Sequence, residues 1–378
     1  MATFPRSDII SLTSEQLRYD LGESVGPDLQ LGALLDAAAA DGIDDLVLGY
    51  RTAEGDAALR AAVAALHGVE ADDVIITVGG MHALFLLAFI LCDRGDQAVT
   101  TAPLFPLARN ALDAVSADVR VLRLSFDEGY RIDLDALAGC LTSETKLISL
   151  ASPQNPSGVA IPPDTLRDIA ELMTAKAPDA FLLLDTTYRE AVYGDDPVAA
   201  SGHELGPRVV SCASLSKCHG APGLRLGWAI CRDPALREQL LRGKFSTVIS
   251  CSAVDEALAL EVLRQREQII DARRTRLATG VAMTADWVAA NASHVDWVRP
   301  DAGALCCVRL KPGVFDDAAV ARFYDVLAGE GVRVANGTWF GDDARVFRLG
   351  FGFLSATDLA VALDRLTTAL GRTLREAA

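Results

Sequence analysis

Ser214-Leu215-Ser216-Lys217-Cys218-His219-Gly220-Ala221-Pro222-Gly223-Leu224-Arg225-Leu226-Gly227 directly follows the apolar run Val209-Val210-Ser211-Cys212-Ala213. A short run of that kind reads as a buried strand, so the polar stretch stands at a strand end. It surrounds one amine, Lys217, with hydroxyls, glycines and a second cation, Arg225. An amine attacks a carbonyl only when neutral, and burial near another positive charge favours that form. Ser214, Ser216 and Arg225 offer what a phosphate binds, namely hydroxyl donors and a planar guanidinium. Together these features point to an aldehyde cofactor with a phosphate handle, pyridoxal 5'-phosphate (PLP). Alone, such a lysine reads first as a solvated surface residue. The rest of the chain has to decide.

Working outward, apolar runs at 74–78, 98–101, 119–124, 146–150, 180–184, 209–212 and 228–231 read as strands. Segments 56–67, 81–91, 106–115, 134–140 and 164–175 read as helices, the first of them rich in Ala and Leu and closed by Gly68. Short strands buried on both faces and separated by helices predict an α/β fold with a mostly parallel sheet. Beyond residue 250 the texture changes. Segment 254–288 reads as one long charged helix or two. A small α+β unit follows, with strands at 304–310, 332–335 and 346–351 and helices at 318–330 and 356–370. The first forty residues alternate too little to form a domain and are expected to join this unit or reach a second subunit. The expected division is a large domain over 45–280 and a smaller one from 1–44 plus 281–378.

Composition sets the outer bounds. A chain of 378 residues exceeds one simple core, and 51% hydrophobic residues suffice for a buried sheet. A net charge of −16 argues against nucleic acid or an anionic membrane as a general partner. The eight cysteines form no CxxC pair and no zinc spacing, so no metal site is expected and a reduced, cytoplasmic protein is. The N-terminus carries Arg6 and Asp8 without a long apolar run and does not read as a signal peptide. The apolar stretch 83–92 is too short for a bilayer.

In an open parallel sheet, ligands bind beyond the carboxyl ends of the strands. Gly79-Gly80-Met81-His82 follows the first run and opens a helix with free N–H groups for an anion. Pro103-Leu104-Phe105-Pro106 follows the second and presents an aromatic face. Ser152-Pro153-Gln154-Asn155-Pro156-Ser157-Gly158, Asp185-Thr186-Thr187-Tyr188 and the Lys217 segment follow three others. Any one of these is ordinarily a turn, a loop breaker or a helix cap. Five of them, each suited to part of one cofactor, are not a chance assortment.

These motifs, with Tyr50, Gly55, Leu59-Arg60, Gly223-Leu224-Arg225-Leu226-Gly227 and Arg348, resemble the fold-type I PLP-dependent aminotransferases of classes I and II. The resemblance runs in order from about residue 50 to 348. It implies a mostly parallel seven-stranded sheet flanked by helices, and a homodimer that moves the α-amino group of an L-amino acid to a 2-oxo acid. It further implies that Lys217 forms the internal Schiff base and shuttles the proton, while Asp185 pairs with the pyridine nitrogen. Asn155 and Tyr188 would bond the ring 3'-oxygen, and Phe105 would stack on the ring. The backbone of Gly80 and Met81, with Ser214, Ser216 and Arg225, would hold the phosphate, joined by Tyr50 from the neighbouring subunit. Arg348 would clamp the substrate α-carboxylate, with Gly22 closing over the substrate beside Asn155.

Departures from the pattern lie near the pocket rim. Met81-His82 stands where a small hydroxyl or lysine is usual, Thr186 replaces a frequent acid, and Asn336-Gly337-Thr338 replaces a proline-glycine-serine turn. His82 reads as a core or surface histidine. No second arginine is placed to read a dicarboxylate side chain. A PLP-dependent lyase or amino-acid oxidase uses the same lysine, aspartate and arginine and is the alternative. A regulator with an aminotransferase-like domain needs a DNA-binding segment that the sequence does not offer, and a nicotinamide dehydrogenase needs a GxGxxG after the first strand.

Overall fold

The computed structural model describes residues 4–14, 17–35 and 42–375. Strand β1 (Tyr19–Asp20) belongs to the C-terminal part of the molecule. The main sheet contains β2 (Val74–Thr77), β3 (Gln97–Ala102), β4 (Asp118–Arg123), β5 (Thr145–Ala151), β6 (Phe181–Asp185), β7 (Val209–Ser214) and β8 (Gly227–Ile230) in the order β2-β8-β7-β6-β5-β3-β4. Pairs β3–β4, β3–β5, β5–β6 and β6–β7 are parallel, and β8 runs against both β7 and β2. The mostly parallel α/β sheet expected from the alternating runs is therefore present.

Residues along β6 alternate between two cores. Leu182 and Leu184 pack with Leu166, Ile169 and Met173, whereas Leu183 packs on the opposite face with Leu84 and Leu87. Burial on both faces explains why these strands are unbroken apolar runs rather than alternating ones. The helices start and stop on local signals. Asp56 caps Ala57–His67 by accepting from Leu59 N, and Gly68 ends it in the left-handed conformation. Proline occupies the first turn of Pro106–Ala114 and of Pro163–Lys176. The structure also holds a helix over Pro234–Val248 that the sequence reading passes over. Its start signals are present, since Asp233 accepts from Leu236 N and Pro234 follows it. The long charged segment resolves into two helices, Ala253–Arg264 and Arg266–Ala290, separated at Gln265.

The smaller sheet contains β9 (Val295–Val298), β10 (Leu305–Leu310), β12 (Ala335–Asn336) and β13 (Val346–Gly350) in the antiparallel order β12-β13-β10-β9, with β11 (Val332–Arg333) apart from it. The run at 332–335 thus splits in two. β11 pairs in parallel with β1, and β12 turns to join β13. The N-terminal segment is thereby laid on this unit. Leu21 N donates to Arg333 O at 2.8 Å, Gly350 N donates to Leu21 O at 2.7 Å, and Asp20 forms a buried ion pair with Arg333. A Cβ on Gly350 would stand 1.7 Å from Glu23 O, so only glycine admits the segment here. The result carries residues 22–24 to the carboxyl ends of the main sheet. No helix among the described residues is long and apolar enough to cross a membrane.

Candidate active site

Strands β5, β6 and β7 end side by side, and the loops that follow them meet over a cavity of about 220 Å³. Its lining includes Gly80, Met81, Phe105, Asn155, Asp185, Tyr188, Ser214, Ser216, Lys217 and Arg225. Ten residues predicted from strand ends and resemblance are therefore brought together in one place. Close approach of backbone makes this possible. A Cβ on Gly227 would lie 2.5 Å from Ala213 O and 2.6 Å from Gly79 C, so glycine there lets β8 pass beneath the Gly79-Gly80 turn.

Lys217 projects into this cavity and Nζ donates to Ser24 Oγ at 3.2 Å. Burial lowers its pKa to about 8, assisted by the positive charge of Arg348 and opposed by Glu23. Asp185, at the end of β6, accepts from Thr187 N at 3.0 Å. Burial pushes its carboxyl upward, against hydrogen bonds from Thr187 and the charge of Lys217. The Tyr188 hydroxyl is buried without a hydrogen-bond partner, and burial raises it to about 12. Ser214 is buried and its Oγ accepts from Ser216 N at 3.4 Å. Arg225 lies at the exposed rim, where Nη1 donates to Pro222 O at 2.9 Å.

Arg348 is fully buried on β13. Nη1 donates to Asn155 Oδ1 at 2.8 Å and Nη2 donates to Gly22 O, while Nε has no hydrogen-bond partner. Its guanidinium stacks 4.8 Å from the Phe340 ring centroid. A second cavity of about 690 Å³ adjoins the first and shares Met81, Phe105 and Lys217 with it; Arg348, Glu23 and Ser24 also line it. Gly22 thus touches the site through its backbone. Tyr50 lies outside both cavities and is 85% exposed.

Three contributors escape the sequence reading, namely Ser24, Glu23 and Phe340. Only their adjacency to Gly22 and to the Asn336-Gly337-Thr338 turn could have flagged them. Asn336 caps that turn by accepting from Thr338 N at 2.9 Å, and the turn places Phe340 under Arg348. The rim departures are structural. His82 Nδ1 accepts from Val78 N at 3.3 Å and Nε2 contacts Thr247 Oγ1 at 3.0 Å, while Thr186 donates to Cys212 O at 3.1 Å. Cys218 Sγ donates to Thr187 O at 3.1 Å, and burial lifts its thiol to about 12, so it is no nucleophile.

A neutral-prone amine, a buried carboxylate that forms no ion pair among the described residues and a phenol hydroxyl without a hydrogen-bond partner surround one cavity. PLP fits that donor set, because its aldehyde, ring nitrogen and 3'-oxygen would meet those three groups respectively. The comparison with known proteins agrees. Residues 7–366 match the family Aminotransferase class I and II. The arginine–pyruvate transaminase of Pseudomonas aeruginosa is 30% identical over 94% of this chain and 91% of its own. The capreomycidine synthase of Streptomyces vinaceus is 30% identical over 82% of this chain and 78% of its own. The solved structure of the PLP-dependent cyclase OrfR is 28% identical, covers 100% of each chain and superposes with a TM-score of 0.83. The chain belongs to the class I and II aminotransferases. It is a PLP-dependent enzyme of fold type I.

Proposed function

We propose that this chain, as a homodimer in the cytoplasm, moves the α-amino group of an L-amino acid to a 2-oxo acid with the residues assembled above. The observation that carries the reading is the convergence of Lys217, Asp185, Tyr188, Asn155 and Arg348 on adjoining cavities at the strand ends. Bound there, PLP supplies an electron-accepting ring and an aldehyde that accepts the amino group.

The residues divide the work. Arg348 receives the donor's α-carboxylate, for which its unpartnered Nε is a ready donor. Asn155 holds that guanidinium in place and Gly22 closes beside it. Lys217, neutral above about pH 8, would take the proton from the donor Cα at Nζ and deliver it to the cofactor carbon that had carried the aldehyde. Asp185 would keep the proton on the ring nitrogen, and the Tyr188 hydroxyl and Asn155 would bond the ring oxygen. Phe105 would cover one ring face. Ser214, Ser216, Arg225 and the N–H groups of Gly80 and Met81 would hold the phosphate. Tyr50, exposed beside Val47 and Leu48 in the single chain, would reach the phosphate of a second copy. The large domain spans 45–280 and the small one 1–44 plus 281–378, the boundary falling within the helix Arg266–Ala290.

A synthase and a cyclase among the similar proteins keep a second outcome open, in which the donor reacts without an oxo-acid acceptor. Purified protein supplied with an amino acid alone separates the two. Transamination stops after one turnover per site and resumes when a 2-oxo acid is added. Repeated turnover without acceptor, releasing ammonia, carbon dioxide or peroxide, would establish the second outcome instead. Borohydride treatment of the holoenzyme followed by peptide mapping should place the cofactor on Lys217, and a label elsewhere overturns its role.

A further inference from the structure

The 690 Å³ cavity beside Lys217 is far larger than a methyl or hydroxymethyl side chain needs, and its outer walls are apolar, formed by Ile9, Ile10, Leu12, Phe85 and Leu107. Glu23 is the acid in this wall, and its carboxylate makes no hydrogen bond or ion pair with any described residue. Its backbone is pinned by the close approach of Gly350, so the side chain cannot leave by moving the segment.

The charges around Glu23 are Lys217, Asp20, Arg348 and Arg333, and burial raises its carboxyl against the pull of the cations. Arg333 is already matched by Asp20. Arg348 is matched by the donor's α-carboxylate, and Lys217 serves as the neutral amine that takes the donor's proton. Arg6, also in the cavity wall, is paired with Asp8 and solvent-exposed. Once donor and cofactor are in place, Glu23 is the charge left without a partner in a largely apolar chamber. An uncompensated carboxylate there is unfavourable unless the ligand supplies a cation.

We propose that Glu23 is the specificity-determining residue for the donor's side chain, and that it selects donors with a cationic group on an apolar stem, the class of basic amino acids. Methylenes of such a stem lie along the apolar wall while the guanidinium or amine reaches the carboxylate. The proposal rests on the reading of Arg348 as the α-carboxylate clamp.

The test compares L-arginine with L-citrulline, its neutral near-isostere, and with L-norleucine, using holoenzyme. Dissociation constants come from the change in cofactor absorbance without acceptor, and kcat/KM from turnover with pyruvate. Wild-type protein should favour arginine over citrulline by about 30-fold in both measures, as expected for a charge-assisted contact. In Glu23→Gln the ratio should fall to within about 3-fold, and Glu23→Asp should restore part of it. Cofactor content and norleucine binding report whether each variant is folded. The inference is overturned if wild type shows no preference for the cation, or if Glu23→Gln keeps it. Failure of the transamination reading looks different: arginine would still bind in a Glu23-dependent way, but pyruvate would not be consumed.

Discussion

The two halves of the site are built in opposite ways. The cofactor half comes from adjacent strand ends of one sheet, with Asn155 after β5, Asp185 and Tyr188 at the end of β6, and Ser214 and Lys217 at the end of β7. The substrate half joins the two ends of the chain, for Arg348 donates to Gly22 O across 326 positions and Lys217 donates to Ser24 Oγ across 193. Regular topology delivers the first automatically, since parallel strands all point their carboxyl ends the same way. The second depends on β1 finding β11 and on one glycine, Gly350, admitting the N-terminal segment. The proposed cofactor chemistry thus sits on the sheet, and the proposed choice of substrate on a segment joined to it by contacts distant in sequence.

The largest expected effect attacks the cofactor half. Lys217→Ala should lower turnover by about 10³-fold or more while leaving the far-ultraviolet circular dichroism unchanged, because the amine that anchors the cofactor and carries the proton is lost while the packing of the sheet is not. A smaller loss would move the proton-transfer role to another group. Next comes the substrate half: Arg348→Ala should cost about 10²-fold in kcat/KM, mainly through KM, while cofactor content stays stoichiometric. Loss of cofactor together with substrate would break the division drawn here.

The bond between the halves is testable too. Arg348 Nη1 and Asn155 Oδ1 lie 2.8 Å apart, so a double-mutant cycle with Asn155→Ala should show coupling of about 1 kcal/mol in transition-state binding. Strict additivity would make the two halves independent. pH probes the amine alone. With its pKa lowered to about 8, Lys217 carries a proton at pH 6 that it must lose before attacking the aldehyde. Capture of PLP by apoenzyme should therefore accelerate as pH rises and level off above about 8. A rate still climbing at pH 10 would place the amine in an ordinary aqueous environment. The smallest effect concerns Cys218, which is packed in the core and donates to Thr187 O. Cys218→Ser should change kcat/KM by less than about 2-fold and remove no reactive thiol, given a thiol pKa raised to about 12.

Much of the cofactor half was legible because its signal is local. An apolar run followed by Asp185, or by Ser214-Leu215-Ser216-Lys217, announces both a strand and the group at its end. The helix Pro234–Val248 has an equally local start signal in Asp233 and Pro234, although no chemical group of the site stands on it. The substrate half was legible only at Arg348 and Gly22, through resemblance. Glu23 and Ser24 carry no spacing or periodicity, and Phe340 reaches Arg348 only because the Asn336 turn folds as it does.

By itself, then, the chain order settled the α/β alternation, the parallel sheet and the cofactor, and it put Lys217 forward as the residue to hold that cofactor, because each follows from residues near one another in sequence. Tertiary structure alone decided that Tyr188 would be left without a hydrogen-bond partner, that Lys217 would lie between Arg348, Glu23 and Ser24, and that a free carboxylate would face the substrate chamber. These are matters of burial and of which charges remain unmatched. Such balances form only when distant segments meet, so no reading of neighbours along the chain contains them.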